Sequence, residues 1–456
     1  MSHVLVVSSD PIGPRMAGPA IRALEIARAL ASSDLEVLLA ASDGDSRESF
    51  APGVRLVAFD TRGEALREAA SDASAIVVGG LTLARYPFLA SSDVPLVLDL
   101  YAPFVLENLP AGAAGGRSAA GRRRRHAGDV EALTWQMQRG DFFICASETQ
   151  RDFWLGGLTA LGRVNPVTYA DDPELRRLID VVPFGVQEEP PRAGPAVLRG
   201  VVPGIGEGDR IVLWGGGLWD WLDPQTLVRA VASVARERDD VRLVFMGVRS
   251  PGPDVPPMAA AGETWELARS LGLLDSVVFM LEGWVPYEQR GAYLLEADIG
   301  ASLHRRHIET HFAFRTRVLD YVWAGLPMVL TEGDVLSEQV EVHDLGVLVR
   351  PGDSAAVADA IWSLLERPGG RVGFQPRFEE LRGELTWSRA VEPLRRFVAE
   401  PHRAPDLPGS SEGADALQPT PLGALPGRAL EALRDGGPWL LLEETARYLR
   451  WRRRPQ

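Results

Sequence analysis

The residues best able to do chemistry crowd into one stretch, 304–327 (HRRHIETHFAFRTRVLDYVWAGLP), which leaves a strand-like run and enters a helical one. Arg315 and Arg317 stand near the expected helix start, where two guanidinium groups can neutralise a diphosphate. Asp320, one turn on, can accept hydrogen bonds from a ribose diol. Arg317 and Asp320 are three apart and share a helix face, expected to be an exposed one. A solvated, salt-bridged helix would carry the same residues. Three of the seven histidines, His304, His307 and His311, lie here at spacings of three and four, which on one helical face would suit a metal. The intervening residues are mostly charged and no cysteine is near, so no metal ligands are assigned.

Two glycine turns offer backbone N–H groups. Residues 13–18 (GPRMAG) separate the first strand-like run from the first helical one, where a phosphate or a sugar hydroxyl can sit on a helix N-terminus, and a plain strand-to-helix turn has the same composition. Gly215-Gly216-Gly217 holds the same place in the second half of the chain. Asp43-Gly44-Asp45 resembles a metal-holding D-x-D pair but reads as an Asp-Gly turn after a strand. No G-x-S-x-G follows a strand-like run, so no nucleophile elbow is expected.

The elements that must position these residues alternate between strand and helix. Apolar runs at 4–8, 36–40, 54–59, 75–78, 95–100, 142–146 and 179–182 read as parallel strands buried on both faces. Helical stretches lie between most of them, including 20–31, with Ile21, Leu24, Ala27 and Leu30 on one face. The Pro- and Gly-rich stretch 187–209 reads as a linker, and the alternation restarts with strands at 211–214, 242–246, 277–281, 299–303 and 328–331. Asp223 is the expected N-cap of the helix that begins at Pro224. Residues 111–127, which include Arg122 to Arg125, are expected to form a surface loop. The fold class is α/β, with two Rossmann-like doubly wound domains facing a cleft, 1–186 and 210–400. A tether at 401–427 and a basic amphipathic helix at 428–456 follow.

Composition narrows the chemistry. The chain has 456 residues, enough for two or three domains, and 46% are hydrophobic, which excludes a disordered chain. All 48 basic residues are arginine, so P-loop, Schiff-base and pyridoxal-phosphate chemistry are excluded. One cysteine, Cys145, excludes an intrachain disulfide and fits a reducing, cytoplasmic setting. A net charge of −14 disfavours nucleic acid as a partner. Neither a secretory signal nor a transmembrane run is expected.

Several blocks, in order, resemble family 4 glycosyltransferases of the GT-B fold over most of residues 1–398. They are GPAIRALEIARAL, DFFICASETQRDFWLG, DVVPFGV, the GGG turn with WDWLDPQTLVRA, LVFMG, GWVPYEQ, FRTRVLDYVWAGLPMV, LGVLVRPGD and WSRAVEPL. The resemblance implies transfer of a sugar from a nucleotide-diphosphate donor on the C-terminal domain to a glycan, lipid-linked or small-molecule acceptor on the N-terminal one. It also implies retention of configuration and no metal or cofactor, the nucleotide sugar being a co-substrate. Asp320 is then the ribose acid, Arg317 a diphosphate contact, and the backbone from Gly283 to Val285 the contact to the base. Gly216 and Gly217 border the donor, and Gly18 approaches it from the other domain. Arg15 and Asp99 are the acceptor-side candidates.

Two departures from the family pattern matter. The usual Glu eight residues before Asp320 is Phe312, which leaves Glu309, with His311 second, to contact the sugar hydroxyls. The usual Arg and Lys after the second glycine turn are replaced by Leu218-Trp219-Asp220-Trp221, leaving Arg305, Arg306, Arg315 and Arg317 for the phosphates. A non-catalytic GT-B scaffold that binds nucleotide sugar or glycan is the alternative function. A dinucleotide oxidoreductase lacks its glycine fingerprint here.

The segment 439–454 (WLLLEETARYLRWRRR) joins apolar and aromatic residues to clustered Arg, which suits an anionic membrane surface. Such a helix would make the protein peripheral to the inner face of the plasma membrane. A helix docked on its own protein has the same pattern.

Overall fold

Runs of Val, Leu, Ile and Ala with no polar side to present form strands that must be covered on both faces, and the molecule supplies that cover twice. The computed structural model describes residues 3–31, 35–42, 53–109, 118–248, 258–281 and 283–407. The first sheet contains β1 (His3–Val7), β2 (Val37–Ser42), β3 (Val54–Phe59), β4 (Ala73–Gly79), β5 (Leu96–Asp99), β6 (Phe142–Cys145) and β7 (Ile179–Val181). Its seven strands are all parallel, in the order β3-β2-β1-β4-β5-β6-β7.

The second sheet contains β8 (Arg210–Gly217), β9 (Val241–Gly247), β10 (Val278–Met280), β11 (Ile299–Ser302), β12 (Met328–Thr331) and β13 (Gly346–Val349). Its six strands are also parallel, in the order β10-β9-β8-β11-β12-β13. In both sheets the winding direction reverses beside the first strand, between β1 and β4 and between β8 and β11. In open α/β sheets such a reversal opens a crevice at the carboxyl ends of the two strands. The two glycine turns lie at those ends, so the doubly wound reading holds and the topology locates the sites.

Local choices agree with this frame. Asp223 accepts the Thr226 N–H at 3.1 Å and caps the helix Pro224–Val234, as its sequence position indicates. The helix Gly18–Ala31 buries Ala20, Leu24, Ala27 and Leu30 against the first sheet.

Several expectations are corrected. Residues 119–127 are not a loop: Ser118 caps the helix Ala119–Met137, which carries Arg122 to Arg125 in its first two turns. The four charges hid a helix whose apolar anchors, Leu133, Trp135 and Met137, all lie near its far end. Gly346–Val349, not read as a strand, is the edge strand β13. The linker stretch 187–209 has contacts of its own. Glu296 accepts the N–H groups of Val197, Leu198 and Arg199, at 2.5, 3.1 and 2.8 Å, and seats that stretch on the second domain.

The last helix of the second half crosses back to the first domain, where Phe397 stacks on Phe142 at 4.8 Å. Residues 401–407, expected to begin the tether, dock there too, through Arg403 on Asp141 at 2.9 Å and Asp406 on Arg163 at 2.7 Å. The remaining tether at 408–427, the helix at 428–456 and Asp43 to Asp45 lie outside the described residues. Among the described residues no helix is long and apolar enough to cross a membrane.

Candidate active site

β8 ends in Gly215-Gly216-Gly217, and Gly216 has φ +86°, a backbone that side chains resist. A Cβ on Gly217 would stand 3.0 Å from the Trp219 ring, so the close approach of that ring requires glycine. The Gly215 N–H donates to the Tyr321 hydroxyl at 2.9 Å, and that hydroxyl donates to the Ala301 carbonyl at 2.8 Å. One tyrosine of the helix Thr316–Ala324 thereby ties the glycine turn to β11, across the point where the sheet reverses.

The same helix carries Arg317 into this crevice. Its side chain was expected on an exposed face, yet Arg317 is only 9% exposed. The reason is its stacking: the guanidinium lies 4.5 Å over the Trp214 ring while Nη2 donates to the Gly217 carbonyl at 2.9 Å. Nη1 is buried with no hydrogen-bond partner. No carboxylate forms an ion pair with this cation among the described residues, and burial, with Arg315 adding to it and Tyr321 and Asp320 opposing it, pulls its pKa down to about 10.

Arg315, at the N-cap of that helix, is differently placed. It donates from Nη1 and Nη2 to the two Glu309 oxygens, at 2.9 and 2.7 Å, a two-pronged pair in which Glu309 is 1% exposed. Its Nε is buried without a partner, 4.0 Å from Asp334. Burial pushes the Asp334 carboxyl up to about 6, although the N–H groups of Leu336 and Ser337 donate to it at 3.0 and 2.8 Å. His304, at the end of β11, is buried and its Nε2 lacks a hydrogen-bond partner. Burial, then the nearby Arg315, drives its pKa down to about 4, so the ring is neutral at pH 7.

The three histidines do not share a helix face. His304 lies on the strand side, His307 caps the helix Ile308–Phe312 by accepting the Glu309 N–H at 3.2 Å, and His311 is exposed against the Phe312 ring. No group of three metal-binding side chains occurs among the described residues. Arg305 is exposed and reaches Gln225 and Glu263 at 3.3 and 3.4 Å, and Arg306 is exposed.

Asp320 lies half-buried one turn beyond Arg317. Its Oδ1 accepts from Arg290 Nε at 2.9 Å, and Arg290 is clamped between the rings of Tyr287 and Trp323 at 3.8 and 4.4 Å. Gly283 and Val285 flank Trp284, whose indole N–H donates to the Met16 carbonyl at 2.9 Å. The Tyr287 N–H donates to the Pro14 carbonyl at 2.8 Å. The first glycine turn, with Gly18 at its helix start and Arg15 exposed at its tip, thus abuts the loop around Gly283.

Across the cleft, Gln150 donates to the carbonyls of Tyr101 and Phe312, both at 2.8 Å, which bridges the two domains at position 312. Asp99, an acceptor-side candidate, is buried in a pair with Arg22: Nε to Oδ2 at 2.5 Å and Nη2 to Oδ1 at 2.9 Å. Glu107 belongs to the short helix Phe104–Glu107, which packs on Ile308–Phe312. Burial, and then the Glu309 carboxylate, raises its pKa from 4.5 to about 7.

Sequence reasoning missed Trp214, Arg290, Asp334, Glu107 and Arg22. Asp334 carried a local signal, an Asp with Ser three residues on at a helix start. The others are long-range partners for which spacing gives no sign.

Residues 209–367 match the family model described as glycosyl transferases group 1. No curated protein matches the sequence. Solved structures match over nearly the whole described chain. Sucrose-phosphate synthase from Thermosynechococcus elongatus superposes with a TM-score of 0.64 at 14% identity, covering 88% of this chain and 98% of its own. Anabaena HepE, in complex with UDP and glucose, gives 0.60 at 14% identity, covering 88% and 100%. The E. coli trehalose-6-phosphate protein bound with UDP-2-fluoro glucose gives 0.57 at 14% identity, covering 88% and 100%. At such identities the likeness is one of fold. The chain thus has the two-domain fold of these glycosyltransferase structures, and its residues 209–367, which contain the crevice, match the glycosyl transferases group 1 model.

Proposed function

We propose that the C-terminal crevice holds a nucleoside-diphosphate sugar and that the sugar passes, with retention, to an acceptor on the N-terminal domain. The observation that carries this reading is Arg317, a buried cation beside a glycine turn, with an unpartnered Nη1 and no ion pair to a carboxylate among the described residues. A buried cation without a counter-ion is costly, and a diphosphate supplies two negative charges at the place where these donors converge. UDP in HepE and a UDP sugar in the E. coli protein support the same class of donor.

The chemistry follows from charge. The bond between the anomeric carbon and the diphosphate oxygen breaks, a bond to the acceptor oxygen forms on the same face, and the acceptor proton passes to the departing phosphate. Negative charge grows on the leaving diphosphate, and Arg317, the backbone of the glycine turn and the Nε of Arg315 stabilise it. These cations supply the charge that a metal supplies elsewhere, and we assign the step no metal. Asp320, held in place by Arg290, keeps Oδ2 for the ribose diol, with the backbone from Gly283 to Val285 at the base.

Glu309 acts through Arg315, as a positioning residue, because its carboxylate is buried and fully engaged. The exposed His311 is the alternative contact to the sugar. If Glu309→Gln turns over normally and His311→Ala does not, the positioning role is wrong. Thermal shifts with UDP-, GDP-, ADP- and dTDP-sugars test the donor class: binding at about 100 Kd stabilises by about 2.7 kcal/mol, and no shift with any of them contradicts the reading. Turnover with the donor that shifts the melt separates an enzyme from a scaffold.

The segment 439–454 supports a peripheral site at an anionic membrane, which would bring a lipid-linked acceptor within reach. Truncation at Pro438 should abolish sedimentation with anionic liposomes at low salt, and retained sedimentation rules this out.

A further inference from the structure

A second group of cations stands on the other domain, apart from the donor crevice. The helix Ala119–Met137 opens with Arg122, Arg123, Arg124 and Arg125, followed by His126, and no acid lies between Ser118 and Gly128. This arrangement opposes its own helix. The N-terminal end of a helix carries partial positive charge, and Arg122 and Arg125, three apart, repel each other on one side. Arg123 and Arg125 are exposed and pair with no carboxylate among the described residues.

The charges gather around a half-open hollow. Arg122, Arg123, Arg125 and His126 line a cavity of about 480 Å³, a size that admits a small-molecule or headgroup ligand. Leu109 and Ala119 add an apolar wall, and Leu109 is 47% exposed. One acid, Asp129, is also in the lining, and it is engaged by Asn108 Nδ2 at 3.2 Å.

The cavity is placed for the reaction. Asn108 and Leu109 follow directly on the helix Phe104–Glu107, which packs against Ile308–Phe312 of the donor domain and also against the arginine helix itself. The short helix thus links the cavity to the donor domain.

We propose that this cavity holds the acceptor by a phosphate group, so that the acceptor is a phosphate-bearing molecule whose less polar part rests on Leu109 and Ala119. The assignment as acceptor rests on the glycosyl-transfer reading, whereas the binding itself does not. Bidentate Arg contacts and a helix N-terminus both suit phosphate, and its negative charge offsets the exposed guanidinium groups of Arg123 and Arg125. An isoprenyl phosphate and a water-soluble sugar phosphate share this chemistry.

Titration calorimetry on the full-length protein, with UDP in excess to occupy the donor crevice, tests it with farnesyl phosphate, glucose 6-phosphate and farnesol. Binding of farnesyl phosphate alone supports a lipid-linked source, and binding of both phosphates supports a soluble one. In either case Arg123→Gln with Arg125→Gln should weaken phosphate binding about tenfold or more, as loss of charged hydrogen bonds does. Arg123→Lys with Arg125→Lys should recover part of it. The glutamine double variant should also melt no lower than wild type, since like charges have been removed.

Binding of neither phosphate, farnesol binding as tightly as farnesyl phosphate, or unchanged affinity in the glutamine variant overturns the proposal. A separate titration of UDP alone reads the donor crevice. Phosphate binding with no binding of UDP overturns the donor reading and leaves the phosphate site standing.

Discussion

Two buried arginines, one in each domain, are built alike and end differently. Arg22 and Arg317 each donate one Nη2 hydrogen bond to a backbone carbonyl, Val182 at 2.8 Å and Gly217 at 2.9 Å. Each lies against aromatic rings, Tyr101 and Phe184 at 5.0 and 4.9 Å in one case and Trp214 at 4.5 Å in the other. Arg22 also has Asp99 in a two-pronged pair, while Arg317 makes no ion pair with a carboxylate among the described residues, Asp320 acting on it only from a distance. The first is a neutralised strut between strand ends. The second has no such counter-ion among the described residues, and the anion we propose for it is the donor diphosphate. Burial and stacking alone thus do not distinguish a structural arginine from a binding one; the counter-ion does.

That contrast can be broken at several points. The largest expected effect is on the strut: Arg22→Met strands the buried Asp99 carboxylate and should lower the unfolding free energy in urea by about 3–5 kcal/mol. Unfolding midpoints that coincide with wild type would erase the difference between the two arginines. Next is Asp320→Asn, which should weaken nucleoside-diphosphate binding by about 1–3 kcal/mol, the range for a charged hydrogen bond, with a smaller loss for the 2′-deoxy nucleotide. Equal losses for the ribo and deoxy ligands would remove Asp320 from the ribose.

The smallest effect is on pH dependence. Burial beside Glu309 raises the Glu107 carboxyl from 4.5 to about 7, so the folded state holds this proton more tightly than the unfolded chain does. Its contribution to stability is complete below about pH 4.5 and is lost as pH rises through 7. Glu107→Gln, which cannot ionise, should flatten that decline in melts taken from pH 5 to pH 8. The same decline in both proteins would place the titrating group elsewhere.

What the sequence reveals about this molecule follows the range of the interactions. Strands such as Val54–Phe59 and Met328–Thr331 are legible to the residue because short, mostly apolar runs bounded by turns leave little alternative. The capping of Pro224–Val234 by Asp223 is equally local. The arginine helix Ala119–Met137 was hidden because four charges and two glycines mask its period, and its apolar anchors come only at the end. At the site, spacing brought Arg315, Arg317 and Asp320 to one helix but could not show which of them is buried. That is decided by Trp214, a hundred residues away in the chain, and by a carbonyl of the glycine turn. Glu309 was legible as a carboxylate near the vacant family position, while its capture by Arg315 was not.

The central claim is that Arg317 is a binding cation, and Arg317→Met tests it most directly when affinity and stability are read on the same protein. Calorimetric titration with nucleoside diphosphates should show a loss of about 1.5–3 kcal/mol relative to wild type for the preferred ligand. Without ligand, the variant should melt at or above the wild-type temperature, because an unpaired buried cation has been replaced by an apolar side chain of similar length. Unchanged affinity, or a fall in stability comparable to that of Arg22→Met, would show instead that Arg317 is a second strut.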